Sequence, residues 1–133
     1  MRIRVTIDFE DEGFSASSYD VPGIILLAQG ETVEEVKRDM TEVIDEFVAD
    51  ESSPEVLRNE SYSVEWAFSV ASFLNKYSSI LTQSGLAKLA GINPNQLNSY
   101  KKGLKKPRKE QVQKLQQAVN EFAKDLLSTP LMA

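Results

Sequence analysis

The stretch that most restricts what this chain can fold into is residues 82–103, TQSGLAKLAGINPNQLNSYKKG. Thr82 can accept a hydrogen bond from an orphan amide at a helix start, and Gly91 tolerates the left-handed turn that closes a helix. Asn93 repeats the capping chemistry, and Pro94 sits in a first helical turn, where a missing amide hydrogen costs nothing. Two short helices are therefore predicted to meet at Gly91, with Ile92 plugging the turn. Leu86, Ala87, Leu89 and Ala90 give the first an apolar side, and Leu97 and Tyr100 do so for the second. Asn95, Gln96, Asn98 and Ser99 are left facing outward. The pattern is that of a helix-turn-helix.

The flanks differ in character. Residues 1–69 carry 5 Lys/Arg against 17 Asp/Glu (net −12), and residues 70–133 carry 10 against 3 (net +7). The basic half attracts a polyanion and the acidic half suits a basic protein, so the overall charge of −5 conceals two surfaces. Lys101, Lys102, Lys105, Lys106, Arg108 and Lys109 follow the second helix closely, a cluster suited to holding backbone phosphates without reading sequence. Val112, Leu115, Val119, Phe122 and Leu126 recur at helical spacing and predict a final helix, a portion of which is available to pair two subunits.

In the acidic half, residues 2–9 alternate strictly, with Ile3, Val5, Ile7 and Phe9 on one side. The turn chemistry of Glu10-Asp11-Glu12-Gly13 then predicts a hairpin to a weaker strand over 14–19, and Pro22-Gly23 a further turn. Residues 24–28 are continuously apolar and predict a third antiparallel strand covered on both faces. Thr32 with Glu35 forms a capping box for a helix from Val33 to near Asp50, whose stripe is Val36, Met40, Val43, Ile44 and Phe47. Residues 50–61 read as a loop, and Tyr62, Val64, Trp66 and Phe68 alternate as a fourth strand, its aromatics assigned to the core. Ser69 caps a helix bearing Val70, Phe73, Leu74 and Tyr77, taken as the first of a second domain. The expected fold is α+β: a βββαβ domain over 1–69 and an all-α domain over 70–133.

Chemistry is limited by what is missing. With no cysteine and no histidine there is no disulfide, thiol nucleophile or imidazole base, so no catalytic residue, metal site or cofactor is assigned. Asp8, Glu10, Asp11 and Glu12 form a carboxylate cluster, but four acids in one turn are satisfied by water, and hydrolysis requires acids converging from several strands. An acidic docking face, extended by Glu34 and Asp45, is the preferred reading. No signal peptide or membrane span is indicated, so a soluble cytoplasmic protein is expected.

Asp11-Glu12-Gly13-Phe14, Asp20-Val21-Pro22-Gly23 and Gly30-Glu31-Thr32 with Glu34-Glu35 resemble, in that order, the N-terminal domain of HicB antitoxins. That resemblance covers 1–69 and implies a degenerate ribonuclease H-like fold that masks a small basic HicA-like ribonuclease toxin. Residues 70–127 resemble the XRE/Cro-C1 repressor family through Thr82-Gln83, Leu86-Ala87, Gly91-Ile92, the helix from Asn93 to Lys102, Gly103 and Pro107. It implies a DNA-binding domain in which Asn93, Asn95, Gln96 and Ser99 read bases. Gln83, Lys101, Lys102, Lys105, Lys106 and Arg108 would hold phosphates. Gly85 departs from the pattern at about 1 kcal/mol relative to alanine, and Lys101 makes the surface more basic. The expected function is a DNA-binding antitoxin that binds duplex operator DNA as a homodimer or higher homo-oligomer and represses its own operon. The alternative is a stand-alone transcription regulator whose N-terminal domain oligomerises or senses a ligand.

Overall fold

The computed structural model describes residues 2–50 and 62–133. It is α+β, with one four-stranded mixed sheet and, among the described residues, five helices. The chain divides into two compact units, Met1–Lys76 and Tyr77–Ala133. The loop expected over 50–61 falls, apart from Asp50, outside the described residues.

The first unit is built on strand β1 (Arg2–Glu10), whose alternation turns Ile3, Val5 and Ile7 completely inward. Strand β2 (Gly13–Ser18) pairs antiparallel with it, the register running from Thr6↔Ser17 to Glu10↔Gly13. The two-residue connection puts Asp11 at φ 51° and Glu12 at φ 62°, the left-handed pair of a type I′ turn. Asp11 and Glu12 therefore carry the turn, and Gly13 is already strand. Asp20 accepts from the Arg4 amide at 2.7 Å, Val21 is buried, and Gly23 takes φ 76°. The Asp-Val-Pro-Gly stretch thus anchors the return of the chain to the sheet.

Strand β3 (Leu26–Gly30) pairs antiparallel with β2 and starts two residues later than expected. It is not covered on both faces: Leu26 is buried, whereas Ile25 and Leu27 are 60% and 61% exposed. A continuous apolar run does not reveal its own sidedness, and here only the inner face meets a helix. Strand β4 (Ser63–Phe68) runs parallel to β1 on the far side, giving the order β3-β2-β1-β4.

Helix α1 (Val33–Ala49) packs on the inner face through Val36, Met40 and Ile44, all fully buried. The Thr32 hydroxyl accepts from the Glu35 amide at 3.1 Å, and the Glu35 carboxylate reaches back to the Glu31 amide at 3.0 Å. Gly30 permits this entry, because a Cβ there would lie 3.0 Å from Glu35 Cβ and 3.1 Å from Val36 Cγ2. Val64 and Trp66 are half-buried against the core, but Phe68 is 36% exposed, with Lys37 Nζ 5.4 Å from the Trp66 ring and 5.6 Å from that of Phe68. The aromatics of β4 are thus a core margin.

Helix α2 (Val70–Lys76) belongs to this first unit, so the division falls seven residues after the expected one at 69/70. Polar bonding explains the difference. Ser69 donates its amide to Ile7 O at 2.9 Å, prolonging the ladder, and its hydroxyl donates to Asp8 at 2.7 Å while accepting from the Ser72 amide at 3.1 Å. Ser72 is fully buried, its hydroxyl 2.8 Å from Ile7 O. Apolar spacing alone assigns this helix to the second domain; the serines tie it to β1. With the division at Lys76 the charges remain split, net −11 before it and +6 after it.

The second unit contains α3 (Gln83–Ala90), α4 (Pro94–Lys101) and α5 (Lys109–Leu127). Its core comprises Leu86, Ala87, Ala90, Ile92, Leu97, Tyr100 and Leu115. Leu89, expected to be partly buried, is 43% exposed, and Leu115 is the one buried residue of α5.

Candidate functional site

Helices α3 and α4 are fixed by the signals that the sequence carries. Thr82 accepts from the Gly85 amide at 3.1 Å, and a Cβ at Gly85 would stand 2.8 Å from that hydroxyl, so the glycine leaves room for the cap. Gly91 adopts φ 67° and closes α3, its amide donating to Ala87 O. Lys114 from α5 adds its ammonium to Gly91 O at 3.0 Å, satisfying a carbonyl at the helix end.

Leu97 and Tyr100 bury the inner side of α4, and of the four residues expected to face outward Asn95 is exposed whereas Gln96, Asn98 and Ser99 are half-buried. The four expected base readers are not equivalent. Asn95 is exposed, and among the described residues no hydrogen bond to its side chain is found. Asn93 uses its Oδ1 to cap the helix, accepting from the Asn95 amide at 2.8 Å, which leaves its NH₂ as the outward group. Ser99 donates its hydroxyl to Asn95 O at 3.2 Å, so only its lone pairs remain for an external donor. Gln96 is half-buried at the edge of a recess.

That recess, of about 330 Å³, is lined by Gln96, Tyr100, Lys105, Lys106, Arg108 and Gln111. It joins one expected base reader to three of the expected phosphate holders. Arg108 is also the first residue before α5, with no side-chain cap on that helix start. Lys102 is exposed, and Lys101, half-buried, closes α4. Gln83 lies across the pair of helices, its Nε2 donating to Pro94 O at 3.2 Å, so its amide nitrogen braces α4 while its oxygen is available. Sequence reading missed Tyr100 and Gln111 as walls of the recess. Tyr100 was legible only as core, and Gln111 is brought in by the turn after Gly103, which has φ 74°.

The first unit holds a second concavity, about 600 Å³, among Glu10, Asp11, Gly13, Phe14, Gln29, Glu31, Glu35 and Asp39. The fold thus gathers acids from the hairpin, the end of β3 and α1. Asp8 stands apart from them: it accepts from Ser69 Oγ at 2.7 Å and from the Phe9 amide at 2.8 Å. Its role is to hold a helix start. Glu34 pairs with Lys76 at 3.0 Å, and that hydrogen bond holds its carboxyl below the usual range. Asp45 accepts from the Tyr62 hydroxyl, and burial, with this bond second, pushes the Tyr62 phenol up to about 12. Among the described residues no group of three or more acids is arranged to hold a metal ion, and no helix is long and apolar enough to cross a membrane. No family model, curated protein or solved structure matches this chain.

Proposed function

We propose that the protein is a DNA-binding antitoxin: its second unit seats a helix-turn-helix on duplex operator DNA, and its first masks a small basic ribonuclease toxin of the HicA kind. The observation that carries the DNA half is the continuity of the α4 amide face with the Lys105, Lys106 and Arg108 recess. A duplex presents base edges and phosphates side by side in this way. On this reading Asn95 and Gln96 make bidentate contact with adenine edges or single bonds to other bases, Asn93 and Ser99 contribute single bonds, and Lys101, Lys102, Lys105, Lys106, Arg108 and Gln83 hold the backbone.

The antitoxin half is supported by the acids converging from Glu10 to Asp39, on a unit whose net charge repels nucleic acid and attracts a basic protein. Masking is then stoichiometric occlusion, with the first unit a degenerate ribonuclease H-like fold in which Asp8 has a structural use. Two copies, each bearing one α4, would engage two half-sites about one duplex turn apart. The test is co-expression with the neighbouring small reading frame: a co-purifying complex and relief of ribonuclease toxicity are expected. Operator binding with neither complex nor relief would leave the second reading, a regulator whose 600 Å³ recess senses a cationic ligand.

A further inference from the structure

The sheet of the first unit ends on one side at β3, and no strand among the described residues pairs with its outer edge. We infer that this edge is a self-association surface, to which a second copy of the chain adds its own β3, antiparallel, about a two-fold axis at Leu27. Three observations lead there, none of which depends on DNA or toxin binding.

The edge is apolar where it should be guarded. Ile25 and Leu27 are 60% and 61% exposed on the outer side, and Tyr19, directly following the β2 strand that pairs with β3, is 70% exposed. Sheet edges facing water are normally blunted by charge, proline or a bulge. Here β3 reads Leu-Leu-Ala-Gln-Gly, with none of these.

The charge pattern selects the occupant. Residues 1–69 carry 22 charged side chains, and none falls within 21–30. A basic partner gains nothing from that uncharged segment and much from the acids elsewhere. The first unit of a second copy bears the same negative charge and meets least repulsion where charge is absent, and a two-fold contact uses the same patch on both sides.

The register keeps the acids apart. With Leu27 opposite its own copy, the two Leu27 side chains form an apolar pair on the outer face, and Ile25 lies against the aliphatic stem of Gln29 of the second copy. The two Glu31 residues are then eight strand positions apart, about 27 Å, well beyond the screening length of about 8 Å at physiological salt.

The test uses the full chain alone, by sedimentation over a concentration series. Leu27→Lys places a charge at the axis on an exposed side chain, and it is expected to halve the particle mass at the highest concentrations with an unchanged circular dichroism spectrum. Because the chain has no cysteine, Leu27→Cys supplies a single thiol, which a short bis-maleimide is expected to join to that of a second copy far faster than it joins Ser63→Cys on the opposite edge strand. Equal masses for wild type and Leu27→Lys at every concentration, or equal cross-linking rates at 27 and 63, overturns the inference. An edge that is covered only when another protein is added produces those same equalities and also overturns it.

Discussion

The two units solve the same problem with unequal means. Among the described residues, the first encloses eleven core residues between one helix and the inner face of a sheet, with half-buried Tyr62, Val64 and Trp66 closing the margin. The second closes on seven, and its longest helix buries only Leu115 while Leu126 is 58% exposed. Small domains bury a smaller share of their surface and are correspondingly marginal. The difference teaches where each unit keeps its information: the first in packing, the second in caps, turns and an uncommitted polar face.

The sharpest way to break that contrast is a core deletion. Met40→Ala, at a fully buried site on α1, is expected to cost about 2–5 kcal/mol in the first unit alone. The chain has one tryptophan, Trp66, in that unit. Urea unfolding followed by tryptophan fluorescence should therefore shift while a helical signal from α3 to α5 persists in circular dichroism. A single shared transition would mean that the units are not energetically separate.

The next test lies on the polar face. Asn95→Ala or Gln96→Ala should cost about 1–3 kcal/mol of operator binding and relax preference at particular base pairs. Lys102→Ala should weaken all sequences alike and lower the salt slope by about one. Fluorescence anisotropy against a panel of substituted duplexes at two salt concentrations separates them, and identical profiles would refute the division into reading and holding residues.

Removing the cap at Thr82 probes the second unit's dependence on local signals. Thr82→Ala should lower its stability by about 0.5–2 kcal/mol and leave the Trp66 transition where it is. The smallest effect is alkaline. Tyr62 has its phenol raised from 10 to about 12 in the fold, so its contribution is complete below pH 10 and lost as the pH rises towards 12. Tyr62→Phe should flatten that decline in the first unit, measured by the same fluorescence; an unaltered slope would show that the Asp45 bond carries no linkage.

Much of this was legible. Period-two alternation located β1, and Thr32, Thr82, Gly91 and Asn93 marked helix ends because capping chemistry is local. What escaped depends on contacts distant in sequence. The one-sidedness of β3 is set by where α1 lies, and α2 is held by Ser69 and Ser72 bonding to Asp8 and Ile7 more than sixty positions earlier. Within the site, Lys102 is exposed just after α4, whereas Gln96, expected to face outward, is half-buried at the edge of the recess. The consumption of Asn93 Oδ1 and the Ser99 hydroxyl by the helix itself was not visible, since the same side-chain types serve caps and ligands.

The parallel pairing of β4 with β1 has a mechanical side. Arg2 pairs with Ser63 and Ile7 with Phe68, so the start of β1 and the exit towards α2 lie at opposite ends of two strands that run the same way. A pull between those ends loads the ladder lengthwise, and its bonds must slide together instead of opening in succession. An unfolding motor drawing on the chain beyond Lys76 would meet its stiffest resistance at the seam between β1 and β4, with the Ser69–Asp8 bond as the first link under tension.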